Sequence, residues 1–290
     1  MRTTSRNKCL EPNSEQPVIQ CDPLPPGATK PRLTHSYGDT MATAVAPHSI
    51  GVKLASDLPG RRFDHVFFSA MALLMLATVF VGFAPTYYLA GMFRAPLPSL
   101  IIHLHGAAFS AWIVLLVTQT SLVSAGRVDI HRRLGIAGFL LAFLMVILGI
   151  LAATDALVRQ FPPGRDPKAF FIIPTTDMVI FATLVFFAFR ARSNPPAHKR
   201  LILIATVALM IAAIARWPFS MVHRKPDIAA LFSYIFLGIL MAYDLWSTRK
   251  LHRATVWASA FLILVEQIRI PISKTAAWHA FAGWVQSLAR

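Results

Sequence analysis

Residues 103–150 read HLHGAAFSAWIVLLVTQTSLVSAGRVDIHRRLGIAGFLLAFLMVILGI. Two apolar runs flank a short polar break at 125–133, and each is long enough to cross a hydrocarbon core of roughly 30 Å as an α-helix. A break of this length leaves room only for a tight turn, so the stretch reads as a helical hairpin inside a membrane. Outward from it the same pattern repeats, with apolar blocks at about 66–89, 100–123, 134–157, 169–189, 201–220, 228–246 and 254–272. The fold class expected is all-α, a polytopic transmembrane bundle of seven spans, or six if one of the two shortest fails to insert. The composition agrees: of 290 residues, 56% are hydrophobic and only 14% charged, against about a quarter charged in soluble domains.

The net charge of +15 would in another protein point to nucleic acid. Here lysine and arginine stand mostly in short loops beside spans, where they set topology, and no soluble domain is left to hold a nucleic acid. They outnumber on one side (Lys53, Arg61, Arg62, Arg127, Arg132, Arg133, Arg190, Arg192, Lys199, Arg200, Arg249, Lys250, Arg253) those on the other (Arg94, Arg159, Arg165, Lys168, Arg224, Lys225, Lys274, Arg290). This places the N-terminus in the cytoplasm and, with seven spans, the C-terminus outside. Residues 1–60 form a polar, proline-rich tail expected to be disordered. Cys9 and Cys21 lie there without metal-site spacing, and Met41 is a second candidate initiator. Residues 273–290 read as an amphipathic helix on the outer surface, with Trp278 and Trp284 at headgroup level.

A histidine beside arginine or lysine recurs at His131, His198 and His252, and His65 holds a comparable place. All four fall at the cytoplasmic starts of spans, so border punctuation is the main reading, with basic heads in the water–lipid border. Ionisable groups deeper in the spans point more strongly to function. At 1.5 Å per residue, Asp177 and Glu266 both lie about 20 Å from the cytoplasmic border, and Arg216 and Arg269 stand nearer the outside. Glu266 and Arg269 are spaced i, i+3 and are expected to pair, as are Asp177 and Arg216. His105 shares one stripe of span two with Phe109, Trp112, Leu116 and Gln119, whereas His103 points the opposite way. Pro85, Pro174, Pro218 and Pro271 lie in or at the outer ends of spans, where kinks would splay the bundle. Together these predict an outward-facing polar pocket built by His105, Asp177, Arg216, Glu266 and Arg269. Gly106 with Ser110, Ala107 with Ala111, and Gly135, Gly138 and Ala142 are spaced to pack spans two and three tightly.

In that hairpin His105, Gln119, Arg127, His131, Arg132 and Gly135 resemble a His…Gln…Arg…HRxxG pattern of bacterial multi-pass membrane proteins whose function is unknown. The resemblance covers about 35 residues and implies a bacterial inner-membrane protein without implying an activity. No nucleotide loop, nucleophile elbow or H-E-x-x-H site occurs, so an enzyme is not the favoured reading. The leading expectation is an inner-membrane protein whose outward pocket binds a small, anionic solute. Two alternatives stay open. One is a b-type cytochrome, with haem held by a subset of His65, His103, His105, His131, His198 and His252; no other cofactor is expected. The other is a non-catalytic protein that stabilises a membrane partner. The lipid bilayer is the partner common to all three, and nucleic acid is a partner in none.

Overall fold

In the computed structural model, residues 59–94, 98–223 and 225–289 are described; the tail with Cys9, Cys21 and Met41 lies outside them. The described chain is helical, with no strand. The helices are α1 (Pro59–Phe83), α2 (Leu100–Ser124), α3 (Val128–Val158), α4 (Pro167–Arg190), α5 (Pro195–Ile214), α6 (Pro226–Thr248), α7 (Arg253–Ile272) and α8 (Ala276–Leu288). Seven of them, α1 to α7, are long and apolar enough to cross a membrane. Large apolar side chains such as Leu73, Leu140, Phe143 and Phe186 face outward, as a bilayer solvent requires. The chain is a multi-pass integral membrane protein.

Local chemistry sets the helix starts. Proline opens α4, α5 and α6, where its fixed φ and missing N–H cost nothing. Asp166 Oδ1 accepts from the Lys168 N–H at 2.9 Å, and Asn194 Oδ1 from the Ala197 N–H at 3.3 Å, satisfying first-turn donors. Pro85 does not simply kink span one; α1 ends in a π-helical turn, Ala84–Tyr88. Pro174 and Pro271 lie inside α4 and α7, and Pro218 falls beyond the end of α5.

Helix α5 is the axis of the bundle. It packs against α1, α4, α6 and α7, and from Leu201 to Ile214 nearly every residue is buried. A helix apolar on all sides belongs in the middle. The α2–α3 hairpin flanks it, and α2 reaches the axis through Trp112 Nε1, which donates to Thr206 Oγ1 at 3.2 Å. On the hairpin the small residues of α3 face α2 as expected, Gly135 lying beside Gln119 and Gly138 beside Leu115. Those of α2 do not face α3. Gly106 receives the Tyr87 ring, Ser110 Oγ bonds the Tyr88 hydroxyl at 2.7 Å, and Ala107 and Ala111 are exposed. The turn after α1 folds back onto α2 and takes up that groove. Helix α8 is docked along one side, with Ala282 fully buried and Trp278 and Val285 against Ala153, Leu157 and Phe171. Phe281, Trp284 and Leu288 stay exposed.

The backbones of α1 and α5 approach each other closely at Gly82. A Cβ on Gly82 would lie 2.9 Å from the Ala213 Cα and 2.8 Å from its carbonyl carbon. Gly82→Ala should therefore destabilise the protein by about 1–3 kcal/mol through overpacking. Gly238→Ala, where nothing lies within 4 Å, should be neutral or stabilising by up to about 1 kcal/mol. Thermal unfolding of the two variants in detergent reads the difference, and equal melting temperatures would contradict the close approach.

Candidate functional site

The deep ionisable groups fall into two clusters at the end of the bundle that carries α8. In the first, α7 presents Glu266 and Arg269 on one face, spaced one turn apart as the sequence predicts. Their partners differ from expectation. Arg269 Nη1 donates to Asp177 Oδ1 of α4 at 2.5 Å and to Thr176 Oγ1 at 3.2 Å. Glu266 Oε2 instead accepts from the Tyr234 hydroxyl of α6 at 2.7 Å, and Gln267 Nε2 donates to that hydroxyl at 3.1 Å. The adjacency of α4 and α7 decides this, since the i+3 step points Arg269 at α4. Glu266 is 2% exposed, and its Oε1 has no partner.

Arg216 does not reach Asp177. It stands just past the end of α5, donates from Nη1 to the Ala212 carbonyl at 2.6 Å, and lies over the Phe83 ring 4.6 Å from its centre. His105 of α2 is within its electrostatic reach. The His105 ring packs on Phe109 at 4.1 Å between centres, and its Nδ1 is buried with no partner. The five residues read from sequence as one pocket are thus a carboxylate cluster (Asp177, Glu266, Arg269) and a second group made by His105 and Arg216. His103 is exposed, beside the Tyr87 hydroxyl at 3.4 Å. Two depressions lie at the opposite end: one of about 520 Å³ is lined by Asn194, Thr248, Lys250, His252 and Arg253, the other by the Phe63–Trp246 neighbourhood.

That opposite end holds groups that sequence reading passed over. Arg200 is not a solvated border residue. It is 4% exposed and fastened to Asp244 Oδ1 of α6 through Nε at 3.0 Å and Nη2 at 2.5 Å. The other Asp244 oxygen accepts from Thr255 Oγ1 at 2.6 Å and from the His252 N–H at 3.1 Å. Lys199 pairs with Asp64, which also accepts from the Tyr243 hydroxyl at 2.9 Å. The signal was Asp244 itself, a lone acid in AYDLW facing the HKRL motif. Counting Lys199 and Arg200 only as topology markers concealed it.

Three of the border histidines are engaged locally. His252 caps α7, its Nδ1 accepting from the Ala254 N–H at 3.1 Å. His198 Nδ1 donates to the Ala188 carbonyl at 2.9 Å. The Gln119 amide, oriented with its oxygen on the Gly135 N–H at 3.0 Å, donates to His131 Nδ1 at 2.7 Å. Gln119 and the HRxxG start of α3 thereby form one hairpin clasp. His131 and His198 have ring centres 6.4 Å apart, yet neither lines a described depression. No group of three or more His, Cys, Asp or Glu suited to a metal occurs among the described residues. No protein-family model, no curated protein and no solved structure matches the chain.

Two outcomes follow from the Asp244 network. Asp244→Asn leaves a buried guanidinium without its counter-charge and should cost about 3–5 kcal/mol. Asp64→Asn, at a half-exposed pair, should shift the melting temperature much less. Burial, then Arg200, hold the His252 pKa below its ordinary value, and the imidazolium form would lose the cap it provides. As pH falls through about 6.5 the unfolded chain takes up this proton before the folded one. Stability should therefore decline on acidification, and His252→Asn should flatten that part of a melting-temperature-against-pH curve.

Proposed function

We propose that this integral membrane protein is a proton-coupled carrier of a small solute, with Glu266 as the residue that takes up and releases the proton. The carrying observation is the charge balance around Glu266. Two buried carboxylates, Asp177 and Glu266, stand against one guanidinium, Arg269, and Asp177 already holds it. An ionised carboxylate left over in an apolar interior is too costly to keep; a proton on Oε1 removes that cost. A metal cation is a poorer occupant, because hard cations need six or more oxygen ligands and Oε1 meets none.

The surroundings suit an exchangeable proton. Tyr234 joins Glu266 to Gln267 in one hydrogen-bonded chain. Pro174 stands three residues before Asp177, and Pro271 two after Arg269. Each removes a helical hydrogen bond, so the two helices that meet at the cluster are both weakened there and can bend when its charge changes. The unmatched acid also separates this reading from a bundle serving only to stabilise a partner, in which each buried acid would have its base.

Infrared difference spectroscopy of the reconstituted protein tests the assignment. A carboxylic-acid C=O band should appear and vanish with pH, and Glu266→Gln should abolish it while the protein stays folded. The same band in wild type and Glu266→Gln would sink the proposal. Glu266→Gln should also melt close to wild type, since glutamine keeps an oxygen for the Tyr234 hydroxyl. Arg269→Gln, which strands Asp177, should lose about 3–5 kcal/mol.

A further inference from the structure

Arg216, half-buried just past the end of α5, forms no ion pair among the described residues. Arginine stays charged in proteins, and a guanidinium drawn out of water needs a compensating charge. Every ion pair among the described residues joins other groups. Burial pulls the Arg216 pKa down, and no acid opposes that shift. Of its five donors, the one at the Ala212 carbonyl is the hydrogen bond it makes. Near it, His105 has a buried Nδ1 with no partner, a polar atom left unsatisfied away from water. Arg216 thus lacks an acceptor carrying negative charge, and the same acceptor would satisfy His105 in its Nδ1–H tautomer.

The surroundings narrow the ligand further. One unpaired guanidinium calls for a single negative charge. Phe83 lies under Arg216, Phe109 lies on His105, and Trp217 follows Arg216 in the chain with its Nε1 donating to the Thr78 carbonyl at 3.3 Å. Aromatic walls around one charged fork suit an organic body. We propose that Arg216 and His105 bind a small monocarboxylate with an apolar body. The guanidinium takes the carboxylate, and the imidazole in its Nδ1–H form donates to one of its oxygens. The site supplies a substrate class for the carrier reading above. It needs only binding, however, and stands whether or not Glu266 exchanges protons.

Isothermal titration of the purified full-length protein with benzoate, acetate and the uncharged benzamide tests it. Benzoate should bind, acetate more weakly, and benzamide not measurably. Arg216→Gln should weaken benzoate roughly thirtyfold or more, the loss expected when one partner of a buried charge pair is removed. His105→Gln should weaken it less. The proposal is overturned if wild type binds neither carboxylate, if benzamide binds as well as benzoate, or if Arg216→Gln keeps wild-type affinity. Loss in Glu266→Gln with retention in Arg216→Gln would move the anion to the other cluster and equally overturn it. Should Arg216→Gln fail to fold, Arg216→Lys takes its place: lysine keeps the charge without the fork, so unchanged benzoate affinity there and in His105→Gln would count against the site.

Discussion

The whole bundle depends on one constraint: a charge inside it must be matched where it stands. Helix α5 sits at the axis, cut off from water along most of its length, yet it begins with Lys199 and Arg200. Asp244 of α6 makes this tolerable. It receives Arg200 on one oxygen and Thr255 and the His252 N–H on the other, so one carboxylate ties together α5, α6 and the start of α7. Asp64 of α1 does the same for Lys199. The axial helix is thereby anchored at its first turn to its neighbours, and the apolar packing above follows.

At the other end the same rule is met by half. Asp177 and Arg269 tie α4 to α7 as Asp244 and Arg200 tie α6 to α5. Glu266 and Arg216 are then left, an acid without a base and a base without an acid, on different sides of the axis. They do not neutralise each other, because α7 turns Glu266 toward α6 while Arg216 leaves the end of α5 toward Phe83 and α2. A structural bundle would gain from closing that pair. Its staying open is what separates the α8 end from the opposite end.

Much of this was legible in the sequence, and what was not had a common cause. Period and hydropathy placed all seven spans, because a bilayer demands about 20 apolar residues in a row whatever the partners. Rise per residue put Asp177 and Glu266 at one depth, and the i+3 step put Glu266 and Arg269 on one face. Which acid Arg269 would meet was not available, since both choices satisfied depth and spacing alike. Gly106 and Ser110 had the spacing of a helix–helix seam, but the turn holding Tyr87 and Tyr88 occupies it.

The sequence by itself determined the class of the protein and the number and approximate places of its spans, because these depend on one chain in an apolar solvent; span five runs Pro195–Ile214 rather than 201–220. Tertiary structure alone decided which helix lies at the axis, that Arg200 is fastened rather than solvated, and that one expected pocket is two clusters. Those outcomes turn on the azimuth of each helix about its own axis. Azimuth is fixed by neighbours, and no pattern within a single span records it.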